Sequence, residues 1–232
     1  MLERLLDYER EIFFFFNGSD FTYYDHFIWL FSHKWTWIPL GIFILFIMVY
    51  KKDWKEVILI LLAIVLVILL CDQFASHFCK PFFARYRPTH HPEFMNEVDT
   101  VFGYRSGLYG FISSHAANAI GYSLYKILLF RHKWYTFTIL VWGIFTAYTR
   151  VYLGVHFISD IVFGALAGLV FGYIVYKLYV YSRRRILGKD SPAPETIYSG
   201  KDKRIIIYAI WIYIVFIMIF NIPLTDIIRT YL

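Results

Sequence analysis

His156 and Asp160 stand four residues apart, the spacing at which one helical turn lets a carboxylate accept a hydrogen bond from an imidazole nitrogen. A histidine held in this way has a fixed tautomer, and its other nitrogen is free to act as a nucleophile. Taken alone, Asp160 would serve equally well as a cap of the helix it opens, whose N-terminal dipole favours a carboxylate. Three further groups favour the chemical reading. Lys80 and Arg87 are seven apart, nearly two helical turns, so a helix would set both cations on one face as a clamp for a phosphate, within the limits Pro81 and Pro88 place on that helix. Ser113, Ser114 and His115 fall where an uncharged helix begins, so free backbone N–H groups and the positive end of the helix dipole also face an anion. Arg150 closes another uncharged stretch.

The elements that must carry these groups are apolar. Of 232 residues 59% are hydrophobic and only 17% charged, against about 25% charged in soluble domains. This argues against an ordinary soluble enzyme, a disordered chain or a fibre. Six uncharged blocks run over 35–50, 57–71, 106–125, 134–149, 161–176 and 205–225, and the shorter ones reach the roughly 20 residues of a spanning helix by borrowing flanks such as Trp54 or Phe157. None shows the alternation of a transmembrane barrel strand. The expectation is an all-α, polytopic membrane helical bundle of six transmembrane helices. The start, 2–16, carries Leu2, Leu5, Leu6, Ile12, Phe13 and Phe16 near helical spacing and lacks the order of a secretory signal, so it reads as a retained amphipathic helix in the membrane interface. Residues 21–31 read the same way.

The chain is then one membrane-embedded domain, 1–232: interfacial helices to 34, five spans with the active site over 35–180, a cytoplasmic loop over 181–204, and the sixth span with the C-terminus. Fourteen of the 23 basic residues fall in the loops near 51–56, 126–133 and 177–204, which the positive-inside rule places in the cytoplasm, with both termini outside. The net charge of +6 is mostly topology and weak evidence for nucleic acid. Lys80, Arg87, Ser113, Ser114, His115, Arg150, His156 and Asp160 all meet at the outer face. Charges at that depth are costly and mark function by default, although any single basic residue at a span end is more often a snorkelling one. Cys71 and Cys79 have no zinc-type spacing and suggest neither a disulfide nor a metal site. His26, His33, His77, His90, His91 and His132 lack partner patterns and read as structural or solvated, with His90 and His91 near enough to touch a head group. Gly164, Gly168 and Gly172 form overlapping G-x-x-x-G spacings suited to close helix packing. The segment Ser191-Pro192-Ala193-Pro194-Glu195 reads as a solvated linker. Phe82, Phe83, Tyr86 and Tyr104 read as an interfacial belt before a lipid portal.

In order and spacing the polar residues resemble the three-part signature of the type 2 phosphatidic acid phosphatase family, K-x6-R-P, P-S-G-H and S-R-x5-H-x3-D. The first part is intact from Lys80 to Arg87-Pro88. The second reads Ile112-Ser113-Ser114-His115, and the third Thr149-Arg150, then His156 and Asp160. The resemblance covers roughly 20–180. It implies that His156 is the nucleophile that becomes a phosphohistidine, that Asp160 orients it, and that His115 protonates the leaving group and then activates water. It further implies that Lys80, Arg87, Ser113, Ser114 and Arg150 bind phosphate, with no metal and no cofactor. Ser114, where the family has glycine, adds a hydrogen-bond donor or narrows the pocket.

The same resemblance implies a bacterial plasma-membrane phosphatase, its site facing the periplasm, that removes the terminal phosphate of a lipid phosphate or diphosphate. Undecaprenyl diphosphate is slightly favoured; phosphatidylglycerol phosphate, phosphatidate and lipid A phosphate are the other candidates. The partners expected are that substrate and the bilayer, with no nucleic acid, and the sequence does not specify an oligomeric state. A lipid-to-lipid phosphotransferase is the alternative, followed by a non-catalytic lipid-binding or transport protein.

Overall fold

Long runs of Leu, Ile, Val and Phe with few breakers favour helices, and their ends are set by identifiable stops and caps. The computed structural model describes residues 2–188 and 192–231. Lys189, Asp190 and Ser191, the first residue of the linker segment, lie outside the described residues, as do the side chains of Leu2, Leu5 and Leu6. The helices are α1 (Leu2–Phe16), α2 (Thr22–Ser32), α3 (Ile38–Val49), α4 (Trp54–Gln73), α5 (Lys80–Phe83), α6 (Ser114–Phe130), α7 (Lys133–Tyr152), α8 (Ile158–Ile186), α9 (Gly200–Ile219) and α10 (Asn221–Tyr231). The fold is all-helical among the described residues, apart from one isolated bridge between Tyr86 and Tyr109.

Capping fixes the starts. The Asp53 carboxylate accepts from Lys55 N–H and Glu56 N–H to open α4, Ser113 Oγ accepts from Ala116 N–H to open α6, and Ser199 with Asp202 forms a capping box on α9. α4 runs on through a π-helical turn, Phe74–Cys79, into α5, which makes Trp54–Phe83 one rod of 30 residues. That rod and α8 are long and apolar enough to cross a membrane. The pair Thr22–Ser32 with Lys34–Val49, bent by 69°, and the pair α9 with α10, bent by 83°, bring the number to four if each is one span. The block 205–225, uniform in sequence, is therefore broken between Ile219 and Asn221. The block 106–125 becomes helical only from Ser114.

α6 lies in the centre, packed most extensively on α8 and also on α4 and α7. The main core gathers Ile60, Val67, Tyr125, Leu129 and Ile206. A second cluster seats Leu30 and Phe31 of α2 against Leu153 and Val155 after α7. A third seats Phe13 of α1 against Phe94, Val151 and Phe157. The helix at 2–16 thus docks part of its apolar face on protein, while Phe15 on another face is 81% exposed. Three charges assigned to the cytoplasmic side by sequence are buried in the bundle. Arg183 Nε donates to Glu56 Oε2 at 2.7 Å, Tyr179 Oη donates to Glu56 Oε1 at 2.5 Å, and Lys126 Nζ lies 2.7 Å from Met48 Sδ.

Candidate active site

The site forms where α5 ends and where α6, α7 and α8 present matching ends. Ala84 takes a left-handed conformation, φ 45°, and stops α5. The chain then runs extended through Arg87, pinned by Arg87 N–H to Leu108 O (3.1 Å) and Gly110 N–H to Arg85 O (2.9 Å). Lys80 and Arg87 are consequently not two turns of one helix, as their spacing suggested: the left-handed Ala84 ends the helix between them, and Pro88 keeps the residue before it, Arg87, extended. Lys80 stays on helix and donates to Ser76 Oγ at 3.0 Å, while Ser76 donates to Asp72 Oδ1 at 3.3 Å. Arg87 reaches inward from the extended segment.

His156 lies in the turn between α7 and α8 and is 1% exposed. Arg87 Nη1 lies 2.9 Å from His156 Nε2 and also donates to Val155 O at 2.8 Å. A guanidinium can only donate, so Nε2 is the acceptor and the imidazole proton sits on Nδ1. Nδ1 lies 3.3 Å from Asp160 Oδ2, which also accepts from Phe157 N–H at 3.0 Å. The i, i+4 pair read from the sequence is therefore formed, with the lone pair on the nitrogen that faces the cations. Burial pushes the His156 pKa well below 6.5, and the charges of Arg87, Arg150 and Lys80 push in the same direction. Its neutral form therefore persists below pH 6.5. The expected acid limb of kcat/KM, corrected for the second phosphate ionisation of the substrate near pH 6, falls below 6.5. A limb at or above 6.5 in a pH profile contradicts this.

Gly110 lets the extended segment approach. A Cβ there would sit 3.0 Å from Asp160 Oδ2 and 3.1 Å from Arg87 Cγ. Ser113 is fully buried, and its N–H donates to Asp160 O at 3.0 Å, joining the start of α6 to the start of α8. Arg150, 2% exposed near the end of α7, donates to Ser32 Oγ at 2.5 Å and Tyr104 Oη at 3.2 Å. Burial and the Arg150 guanidinium lower the Arg87 pKa to about 10, which leaves Arg87 charged at neutral pH. Arg87 Nε and Arg150 Nε are buried donors without a protein partner among the described residues. Two spare guanidinium donors beside a lone-pair nitrogen suit a tetrahedral oxyanion.

His115 and Ser114 head a cavity of about 410 Å³ that continues down between α3, α4, α6 and α7 along Leu40, Ile44 and Ile68. Its polar end and apolar length fit a lipid with a charged head. Among the described residues no three His, Cys, Asp or Glu side chains come together to hold a metal ion. Most of the other histidines have structural contacts: His33 stacks on Trp29, His91 on Phe94, and His132 caps α7. Sequence spacing missed Arg85, which donates to Asp160 Oδ1 at 3.0 Å, along with Ser32 and Tyr104, which hold Arg150. Arg85 could have been suspected only as a third cation in the Lys80–Arg87 segment.

Residues 56–184 match the PAP2 superfamily. Over 231 residues the chain is 43% identical to the lipid A 4'-phosphatase of Porphyromonas gingivalis, covering 99% of this chain and 98% of that protein. It is 35% identical over 210 residues to the lipid A 4'-phosphatase of Bacteroides thetaiotaomicron, covering 90% and 92%. The crystal structure of Aquifex aeolicus LpxE superposes with a TM-score of 0.50 at 26% identity, over 72% of this chain and 93% of that one. With that family match over more than half of its length and relatives of this identity along nearly all of it, the chain belongs to the PAP2 superfamily of type 2 phosphatidic acid phosphatases, as a membrane lipid phosphatase.

Proposed function

We propose that this protein hydrolyses the 4'-phosphate of lipid A through a phosphohistidine at His156, without a metal ion, at the periplasmic face of the bacterial inner membrane. The observation that carries the mechanism is the pair of contacts on His156, Arg87 at Nε2 and Asp160 at Nδ1. The substrate comes from the two relatives named as lipid A 4'-phosphatases. Their names move the preference from undecaprenyl diphosphate, which no spacing in the sequence specified, to a phosphomonoester on lipid A. We place six spans on α3, α4 with α5, α6, α7, α8 and α9, and α1 at the outer interface.

The phosphate displaces Arg87 from Nε2 and takes its N–H groups together with those of Arg150, Lys80 and the start of α6. Nε2 attacks phosphorus while the bond from phosphorus to the lipid oxygen breaks, and His115 delivers a proton to that oxygen. Asp160 stabilises the positive imidazole so formed. Water then attacks the phosphohistidine, giving its proton to His115, and phosphate leaves as Nε2 recovers its lone pair. The lipid chain lies in the cavity below His115.

Detergent-purified protein in EDTA, offered lipid A, undecaprenyl diphosphate, phosphatidylglycerol phosphate and phosphatidate in turn, tests the reading. Lipid A is expected to lead in kcat/KM by about tenfold or more, equal to about 1.4 kcal/mol of discrimination, with the rate in EDTA unchanged. Activity that vanishes in EDTA refutes the metal-free mechanism. Another leading substrate refutes the lipid A assignment, and release that needs a second lipid identifies a phosphotransferase.

A further inference from the structure

Asp160 has two carboxylate oxygens, and only Oδ2 serves His156. Oδ1 accepts from Arg85 Nη1 at 3.0 Å. A lone guanidinium there would offset the negative charge that Asp160 offers to His156 as the imidazole turns positive. Arg85 is not alone. Its Nη2 donates to Glu9 Oε2 at 2.6 Å, and the other oxygen of Glu9 accepts from Ser159 N–H at 2.9 Å. Arg85 Nη1 also donates to Ser159 Oγ at 2.6 Å, and its guanidinium lies 4.3 Å from the centre of the Phe157 ring.

Glu9 belongs to α1, is 150 residues from Ser159 in sequence, and lies outside the matched segment 56–184. Phe157, the residue that caps α8, has no side-chain acceptor, so the free Ser159 N–H in the first turn takes its partner from another helix. Phe13, one turn along α1, is fully buried and packs 5.5 Å from Phe157, which holds α1 at the same spot.

We propose that Glu9 is a positioning residue for phosphoryl transfer, acting through Arg85 on Asp160, so that α1 is part of the catalytic apparatus although it contributes no group to the phosphate. The charges alternate along the line: Glu9 negative, Arg85 positive, Asp160 negative, His156 positive as its bond to phosphorus forms. Glu9 neutralises Arg85 and leaves the charge of Asp160 to the imidazole. This rests on the phosphohistidine reading above.

The test compares the parent, Glu9→Gln, Arg85→Gln and the double variant in phosphate release from lipid A, beside His156→Ala. Glu9→Gln keeps an oxygen to accept from Ser159 N–H but loses the charge. Its kcat is expected to fall about tenfold with KM within about twofold, because the charge acts on a positive imidazole that exists only after substrate binds. Its unfolding midpoint should stay close to that of the parent. The double variant is expected to match Arg85→Gln, since the charge of Glu9 acts on Asp160 through Arg85 while its other contact, with Ser159 N–H, is kept by the glutamine oxygen. An active parent with unchanged kcat in Glu9→Gln overturns the proposal. So do losses that multiply in the double variant, or a loss no larger than the fraction of protein unfolded. A parent that releases no phosphate from any lipid overturns the phosphatase reading, and this inference with it.

Discussion

His156→Ala is expected to release phosphate from lipid A slower than the parent by on the order of 10⁴-fold or more, because removing a nucleophile abolishes the covalent route and leaves only binding and electrostatic stabilisation. The variant should still fold. Arg87 Nη1 keeps Val155 O as an acceptor at 2.8 Å, and Asp160 keeps Phe157 N–H and Arg85. It should also still bind substrate, since Arg87, Arg150 and Lys80 are untouched, so the loss appears in kcat. Quenching in alkaline detergent during turnover, which preserves the acid-labile P–N bond, should trap label from the lipid phosphate on the parent and none on the variant. His115 is the only other imidazole assigned to the reaction, and it stands on a different helix, α6. If His156→Ala retains more than about one hundredth of the parent rate, direct attack by water activated at His115 becomes the better mechanism.

The groups proposed to face the phosphate were readable in the sequence because their chemistry and spacing are local properties. His156 and Asp160 are four positions apart, near enough to meet even with His156 in the turn before α8, and Ser113 is a cap wherever an apolar helix follows it. The groups that hold them in place were not readable. Arg85 touches Asp160 from a segment 75 residues away, Ser32 reaches Arg150 across 118, and Glu9 reaches Ser159 across 150. Each contact exists only after the helices pack. Element boundaries failed for a different reason. Leu108, Tyr109 and Phe111 are as apolar as span residues but lie in the loop before Ser113, since hydropathy does not distinguish a helix from an extended segment. The 83° bend after Ile219 had a weak signal in Asn221 and Pro223, within a block otherwise uniformly apolar. Lys126 and Glu56 entered the topology count as solvent-facing because a buried charge and an exposed one look the same in a sequence.

Gly168→Ala should cost the protein both stability and most of its activity, although residue 168 touches no substrate. Gly164, Gly168 and Gly172 form the ridge of α8 that meets α6. A Cβ at Gly164 would stand 2.6 Å from Ser113 O, and one at Gly172 would stand 2.6 Å from Gly121 O. At Gly168 the obstacles are Ala117 O and, at 2.9 Å, Gly121 N, both main chain that no rotamer change can move aside. The G-x-x-x-G spacing therefore serves close helix packing, as its sequence suggested. Overpacking of this kind costs about 1–3 kcal/mol, and about 2–4 °C of unfolding midpoint accompanies each kcal/mol in a chain of this size. A fall of roughly 2–12 °C is expected for alanine, and loss of the folded protein for valine. The larger consequence is geometric. α6, capped by Ser113, carries Ser114 and His115, while α8 carries Asp160, which holds His156, so pushing the two helices apart separates the proposed proton donor from the proposed nucleophile. A displacement of about 1 Å is enough to lower a rate on the order of 10²-fold. Gly107→Ala is the matched control, because a Cβ there meets nothing within 4 Å. Parent-like kcat and midpoint in Gly168→Ala would show that the α6–α8 contact is looser than this geometry and that it does not set the distance from His115 to His156.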